Sequence, residues 1–300
     1  MRPKFELVKG AAAWEWPRYE RWLTEEWGKL LGGPYQGDEK SFQMFLERHP
    51  CLLPGGDGIG ESFGGHHGSW GEIVITEPPI PGISARIPDF MWLTKNSAEL
   101  IPVLIEIEAP AKRWLTKKGD RTADFVHAEG QLADWRRRLD DPTGRLQFAD
   151  LYDFPAQWAQ RLNLAPRFML IYGRRSEFGE RPEWNRKRGG HDSSNIDAMT
   201  YDRLRPLARS ANVITVKIER KNDVVTRCAV AVPPTFQFGP SNASSVARIR
   251  GLGEAISAND LISQDRRQFL LSRLEYWQDL GRREIAGESL GIQHPATDWE

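Results

Sequence analysis

The stretch LIEIEAPAKR, Leu104 to Arg113, decides the fold. Glu106 and Glu108 sit two apart inside an apolar run, the period of a strand, so both carboxylates face one way while Val103, Ile105 and Ile107 face the other. An uncompensated buried carboxylate costs several kcal/mol even after relaxation, so something must offset the pair. Two answers stay open on spacing alone. One is a hard divalent cation held by oxygen ligands, the preference of magnesium and manganese; the other is structural pairing with arginine or lysine from an adjoining element.

Working outward, GEIVITEPPI, ARIPDFMWLT and LIPVLIEIEAP are three strand-like runs with short breaks. In the second, Asp89 alternates with Phe90 and so turns away from the aromatic face. A short turn between Thr94 and Glu99 predicts antiparallel pairing of the second and third runs, which lets Asp89, Glu106 and Glu108 converge as metal ligands. The helical HAEGQLADWRRRLDD and the apolar strand PRFMLIYGRR follow. The order is helix, three strands, helix and strand, that of an α/β chain.

The flanks read differently. Residues 11–31 space tryptophan and leucine at helical intervals, and DEKSFQMFLERHPCLLPG reads as a second helix capped by Asp38 and stopped by Pro50 and Pro54. Residues 52–71 are glycine-rich and read as a loop; its His66-His67 lacks a third ligand for zinc, and Gly56 to Gly60 lacks the strand and lysine of a phosphate loop. MTYDRLRPLARS is expected to be helical, NVITVKIERKNDVVTRCAVAVPP a hairpin turning at Lys221-Asn222-Asp223, PSNASSVARIRGLGEAISAND a linker, and the segment from Leu261 a final helix. This divides the chain into an N-terminal helical segment and loop (1–70), a core (71–235), and a linker with a C-terminal helix (240–300). His127, one helical turn before Gln131, is expected to pack, as are most of the twelve tryptophans and both cysteines.

Composition bounds the function. Forty-one basic and 41 acidic residues cancel, so a nucleic-acid partner has to be held by a local patch. AKRWLTKKGDR gathers Lys112, Arg113, Lys117, Lys118 and Arg121 against one acid, and GRRSEFGERPEWNRKR adds Arg174 and Arg175 to a second basic stretch; such patches attract phosphates. Two cysteines and an N-terminus without an apolar leader are expected of a protein in the reducing cytoplasm, and no apolar run reaches the ~20 residues that span a bilayer. The sequence allows a homo-oligomer and specifies none.

Asp89 in IPDF, Glu106-Ile107-Glu108 before Ala109-Pro110, and the helix around Gln131 together resemble the PD-(D/E)XK restriction-endonuclease-like fold, which implies an α/β core with a central mixed sheet flanked by helices, here with helical segments at both ends. More narrowly they resemble the Shedu-type nuclease domain of bacterial anti-phage defence, with EKSFQMFLERHPCLL, FMLIYGRR and DAMTYDRL extending the match over roughly residues 38–209. The resemblance implies Asp89 and Glu106 as metal carboxylates, Gln131 as the helix glutamine at the site and Glu39 as an N-terminal acid. It implies a magnesium- or manganese-dependent endonuclease acting on double-stranded DNA. Glu108 departs from the pattern, which more often has lysine there; Lys112, Arg113, Lys117 and Lys118 are candidates to restore that charge. Two alternatives follow: a catalytically silent nuclease-like domain that binds nucleic acid or a partner, and a repair or restriction nuclease.

Overall fold

The computed structural model describes residues 5–55, 69–82, 87–154, 161–179, 196–221 and 224–288. Gly56 to Gly60, His66-His67, the Asn222-Asp223 turn and the second basic stretch beyond Gly179 lie outside the described residues.

The strands are β1 (Ile73–Thr76), β2 (Phe90–Lys95), β3 (Glu99–Ile107), β4 (Asn163–Leu164), β5 (Arg167–Ile171), β6 (Ile196–Met199), β7 (Ile214–Lys221), β8 (Val224–Ala231) and β9 (Ile249–Arg250). They form one mixed sheet in the order β6-β5-β3-β2-β1-β7-β8-β9, with β4 also paired to β3. β2 and β3 make the antiparallel hairpin that the sequence predicts, running from Phe90 opposite Ile105 to Lys95 opposite Leu100. Its turn is fixed by Asn96, whose Oδ1 accepts from the backbone N–H of Ala98 (2.8 Å) and of Glu99 (2.7 Å). β5 runs parallel to β3, so the connection between them has to cross over the sheet, and it does so through helices.

Those helices are α3 (Ala123–Asp140) and α4 (Pro142–Leu151). α3 starts where the Thr122 hydroxyl caps the Phe125 N–H at 3.2 Å, and it buries Phe125, Ala128, Leu132, Trp135 and Leu139, a stripe at helical spacing. That stripe packs with Leu104 and Leu170, on one face of the sheet. The other face carries Val103, Ile105 and Ile107 and is covered by α1 (Trp16–Gly32) and α2 (Glu39–Arg48) through Leu23, Trp27, Phe42 and Leu46. Each large apolar side chain buried in these layers contributes about 1.5–3 kcal/mol.

The flanks correct four expectations. α1 begins at Trp16 and not at Ala11, because Pro17 is tolerated only in a first turn; the preceding chain is extended and its Trp14 N–H donates to Pro234 O at 3.1 Å. MTYDRLRPLARS is not one helix but the end of β6 and two short 3-10 turns, since Pro206 bars helical continuation through Arg205. The expected linker is folded: α5 (Ala243–Arg248), β9 and α6 (Leu252–Ala258) occupy it. Its small residues serve close approach, for a Cβ on Gly281 of the last helix, α7 (Gln264–Ile285), would stand 2.0 Å from Ala243 O. Cys51 is buried as expected, but Cys228 is only partly so. No described helix is long and apolar enough to cross a membrane.

Candidate functional site

Extending the β2–β3 register by one residue sets Asp89 beside Glu106; the Asp89 N–H donates to Ile105 O (3.1 Å), one residue off that register, and the two carboxyl groups come within hydrogen-bond reach of each other. Opposed side chains on one face of an antiparallel pair have Cβ atoms ~4.5–5.5 Å apart, so the hairpin alone brings these two acids together. Asp89 Oδ2 accepts the Ile107 N–H at 2.8 Å, which ties the carboxylate to the end of β3. From the crossover helix, Gln131 Nε2 donates to Glu106 Oε1 at 2.6 Å. Glu106 Oε2 is buried and receives no hydrogen bond from the described residues. Its neighbour is the Asp89 carboxyl group, with which it hydrogen-bonds only when one of the pair is protonated.

The charges behave accordingly. Burial, and then the charges of Asp89, Glu108 and Glu39, hold the Glu106 carboxyl well above the usual carboxylate range. Asp89 is pushed up to about 7, by burial of its carboxyl and by the charges of Glu39 and Glu108, against the stabilising bond from Ile107. Metal-free, this is a pair of acids that keeps a proton close to neutral pH.

Glu108 lies one step past β3, its N–H donating to Ile171 O at 3.0 Å, and turns toward the same rim. There it forms an ion pair with Lys112, four residues on in the turn that follows. The turn is seated against the 3-10 turn Pro34–Gly37 that leads into α2, since Ala111 N–H donates to Gln36 O at 2.9 Å. This brings in Glu39, the first residue of α2, whose carboxyl is pushed up to about 7 by burial and by hydrogen bonding to and charge from Glu108, with Lys112 opposing. Burial works to lower the Lys112 pKa, but the bond and charge of Glu108 outweigh it, so the ammonium is held firmly charged. Of the four candidate cations for the missing lysine, Lys112 is the one the fold brings to the acids. Among the described residues, no three histidine, cysteine, aspartate or glutamate side chains stand arranged to grip an ion as they are.

The profile of the family described as Shedu protein SduA, C-terminal, matches residues 36–205, more than half of the 300-residue chain. The chain belongs to this Shedu family. No curated protein matches it. Every acid of the site, with Lys112 and Gln131, falls inside the matched segment of this Shedu chain.

The basic loop of the Shedu chain is ordered. Trp114 and Leu115 are buried, and both their N–H groups donate to the Glu177 carboxylate at 3.0 Å. A tight turn closed by Thr116 N–H to Asp120 O (2.7 Å) then presents Lys117 and Lys118 at an exposed tip. Arg113 pairs with Glu177 (3.5 Å) and Arg121 with Glu129 (2.5 Å). Arg174 is engaged by Asp202 through Nε and Nη2 and by Leu31 O through Nη1 (2.6 Å), while the Arg175 side chain is exposed. His127 is exposed and does not pack.

Sequence reading gave no individual role to Tyr201. Its ring is fully buried against Phe42 (5.2 Å) and its hydroxyl has no partner among the described residues. Burial, and then Asp89, Glu39, Glu108 and Glu106 together, raise its pKa well above the ordinary phenol value, so the hydroxyl lies within the field of the acid cluster as a neutral donor. Its place at the end of β6, two strands from β3, was hidden while the segment read as a helix.

Proposed function

We propose that this chain is a divalent-metal-dependent endonuclease that hydrolyses phosphodiester bonds of double-stranded DNA in bacterial anti-phage defence. The observation that carries the reading is the pair of Asp89 and Glu106, with Glu106 Oε2 buried and undonated and Glu106 Oε1 held by Gln131. Two adjacent hard oxygen donors suit magnesium or manganese, since magnesium commonly takes one or two protein carboxylates and fills its remaining positions with waters and substrate phosphate oxygens. Bound there, such a cation supplies Lewis acidity and charge neutralisation at the scissile phosphate. Gln131 holds the Glu106 carboxylate in one orientation. Lys112, held by Glu108, would supply from the following turn the positive charge that the related pattern draws from lysine, to offset charge that builds on a phosphate in the transition state. Lys117, Lys118 and Arg175 offer exposed positive charge for the DNA backbone. The defence role rests on the family.

The rival reading is a nuclease-like domain that binds DNA or a partner without cleaving. It draws on the Glu108–Lys112 pair, which ties up both groups, and on the absence of three converging ligands among the described residues. Plasmid cleavage in magnesium or manganese separates the two. The proposal expects cleavage by the parent and its loss in Asp89→Asn and Glu106→Gln with unfolding still cooperative; full activity in both variants overturns it.

A further inference from the structure

Far from the acids along the sheet lies a second concentration of charge. Arg227 on β8 projects toward Trp70, its guanidinium carbon 5.1 Å from the ring centre, and its only hydrogen bond among the described residues is a long one to Tyr152 O (3.4 Å). Arg248, at the end of α5, stands beside it and reaches the exposed Asp153 at 3.5 Å. Ser244 and Ser245 line the same hollow, and neither hydroxyl is engaged by the described residues. Gly71, at φ 72°, admits the Ser245 hydroxyl: a Cβ there would lie 2.5 Å from its Oγ. Burial, and then the charge of Arg248, lower the Arg227 pKa against the opposing charge of Asp153.

The hollow has a volume of about 150 Å³. That is the share of about five water molecules, well below the ~300 Å³ at which cavities take whole small ligands. It suits one tetrahedral group. Arginine forks and serine hydroxyls are the donors that phosphate oxygens take.

We propose that Arg227, Arg248, Ser244 and Ser245 form an oxyanion pocket that takes a single phosphate group. Its position says which phosphate. Arg227 is in register with Ile218, β7 continues the row to Glu77 beside β1, and that row runs on through Asp89 to Glu106. Ile218 and Ile249, its neighbours in the row, pack in the same core layer as Leu104 and Leu170, so Arg227 and Glu106 share one face of the sheet. Four interstrand spacings of ~4.8 Å separate them by about 19 Å. At ~3.4 Å per base pair that is five or six base pairs of duplex axis. A duplex held at the acids and running across the strands toward β8 would have a backbone phosphate within reach of the pocket. Assignment to DNA rests on the nuclease reading; the pocket itself does not.

The test uses the full chain in EDTA, with inorganic phosphate as the probe against chloride at equal ionic strength. Phosphate is expected to raise the melting temperature of the parent, and Arg248→Gln, Ser245→Ala and Arg227→Met are expected to remove that increment. The first two change partly exposed groups and keep the test valid should Arg227→Met fold poorly. Binding of a short duplex at several salt concentrations identifies the source: a slope of log affinity against log salt shallower by about 0.9 in Arg248→Gln assigns the pocket to the DNA backbone. A lost phosphate response with an unchanged slope assigns it to free phosphate. No response to phosphate in the parent overturns the pocket, whatever the cleavage assays show.

Discussion

Replacing Asp89 by asparagine should make the metal-free protein more stable at pH 8 and remove most of that advantage at pH 5. Asp89 ionises near 3.9 in an unfolded chain and is pushed up to about 7 here by burial and by Glu39 and Glu108. Between those values the native state holds a proton the unfolded state has lost, so stability falls as pH rises and the full penalty is present above pH 7. Three pKa units at ~1.36 kcal/mol each set it at about 4 kcal/mol. Asparagine keeps an oxygen to accept the Ile107 N–H, which Asp89 takes at 2.8 Å, and carries no charge. Losing the proton shared with Glu106 returns about 1–2 kcal/mol, so a net gain of about 2–3 kcal/mol is expected at pH 8. From pH 8 to pH 5 the gain should shrink by about 2–3 kcal/mol, as the parent becomes protonated below 7. Urea denaturation of both proteins in EDTA at the two pH values measures it. An offset that is the same at pH 5 and pH 8 would refute the argument and leave Asp89 as a structural acceptor for the β3 backbone.

Three further outcomes follow from the same geometry. Lys112→Met strips Glu108 of its cation and should cost about 1–2 kcal/mol in denaturation at pH 8 while abolishing cleavage with duplex affinity nearly kept; undiminished cleavage would return the role of the missing lysine to another residue. Millimolar magnesium should raise the melting temperature of the parent but not of Glu106→Gln, through preferential binding to the native state, and equal shifts in both would place the cation elsewhere. Lys117→Gln with Lys118→Gln should flatten the salt dependence of duplex binding by up to about 1.8 in slope, with cleavage at saturating DNA unchanged; an unaltered slope would move the DNA path off this loop.

Much of the acid pair was legible because a hairpin is a local structure. Alternation in LIEIEAP gives the face of Glu106, alternation in PDFMW gives the face of Asp89, and a short turn makes them opposite. Gln131 was reachable only by resemblance, since its helix crosses over from a distant part of the chain. Choosing Lys112 among four basic residues needed the turn held at Gln36 just ahead of α2, which no periodicity encodes. The segment 199–210 misled because Met199, Leu204 and Leu207 mimic helical spacing while Pro206 vetoes it. The stretch 240–260 misled for another reason. Alanine, serine and glycine look like a spacer in one dimension, yet the same smallness is what lets α5 lie against Gly281.

The segment that carries the family signature is not a severable part. β1 sits between β2 and β7, pairing with β7 from Ile73 to Thr76, and β7 begins nine residues beyond the match. Excising residues 36–205 would turn an interior strand of sequence IVIT into a bare apolar edge, the geometry that recruits other chains into intermolecular sheets. Such a fragment should accumulate as aggregate even though it keeps every acid of the site. Any shortened form of the chain meant for crystallisation or assay therefore needs the hairpin of β7 and β8, which acts as the selvage of the sheet.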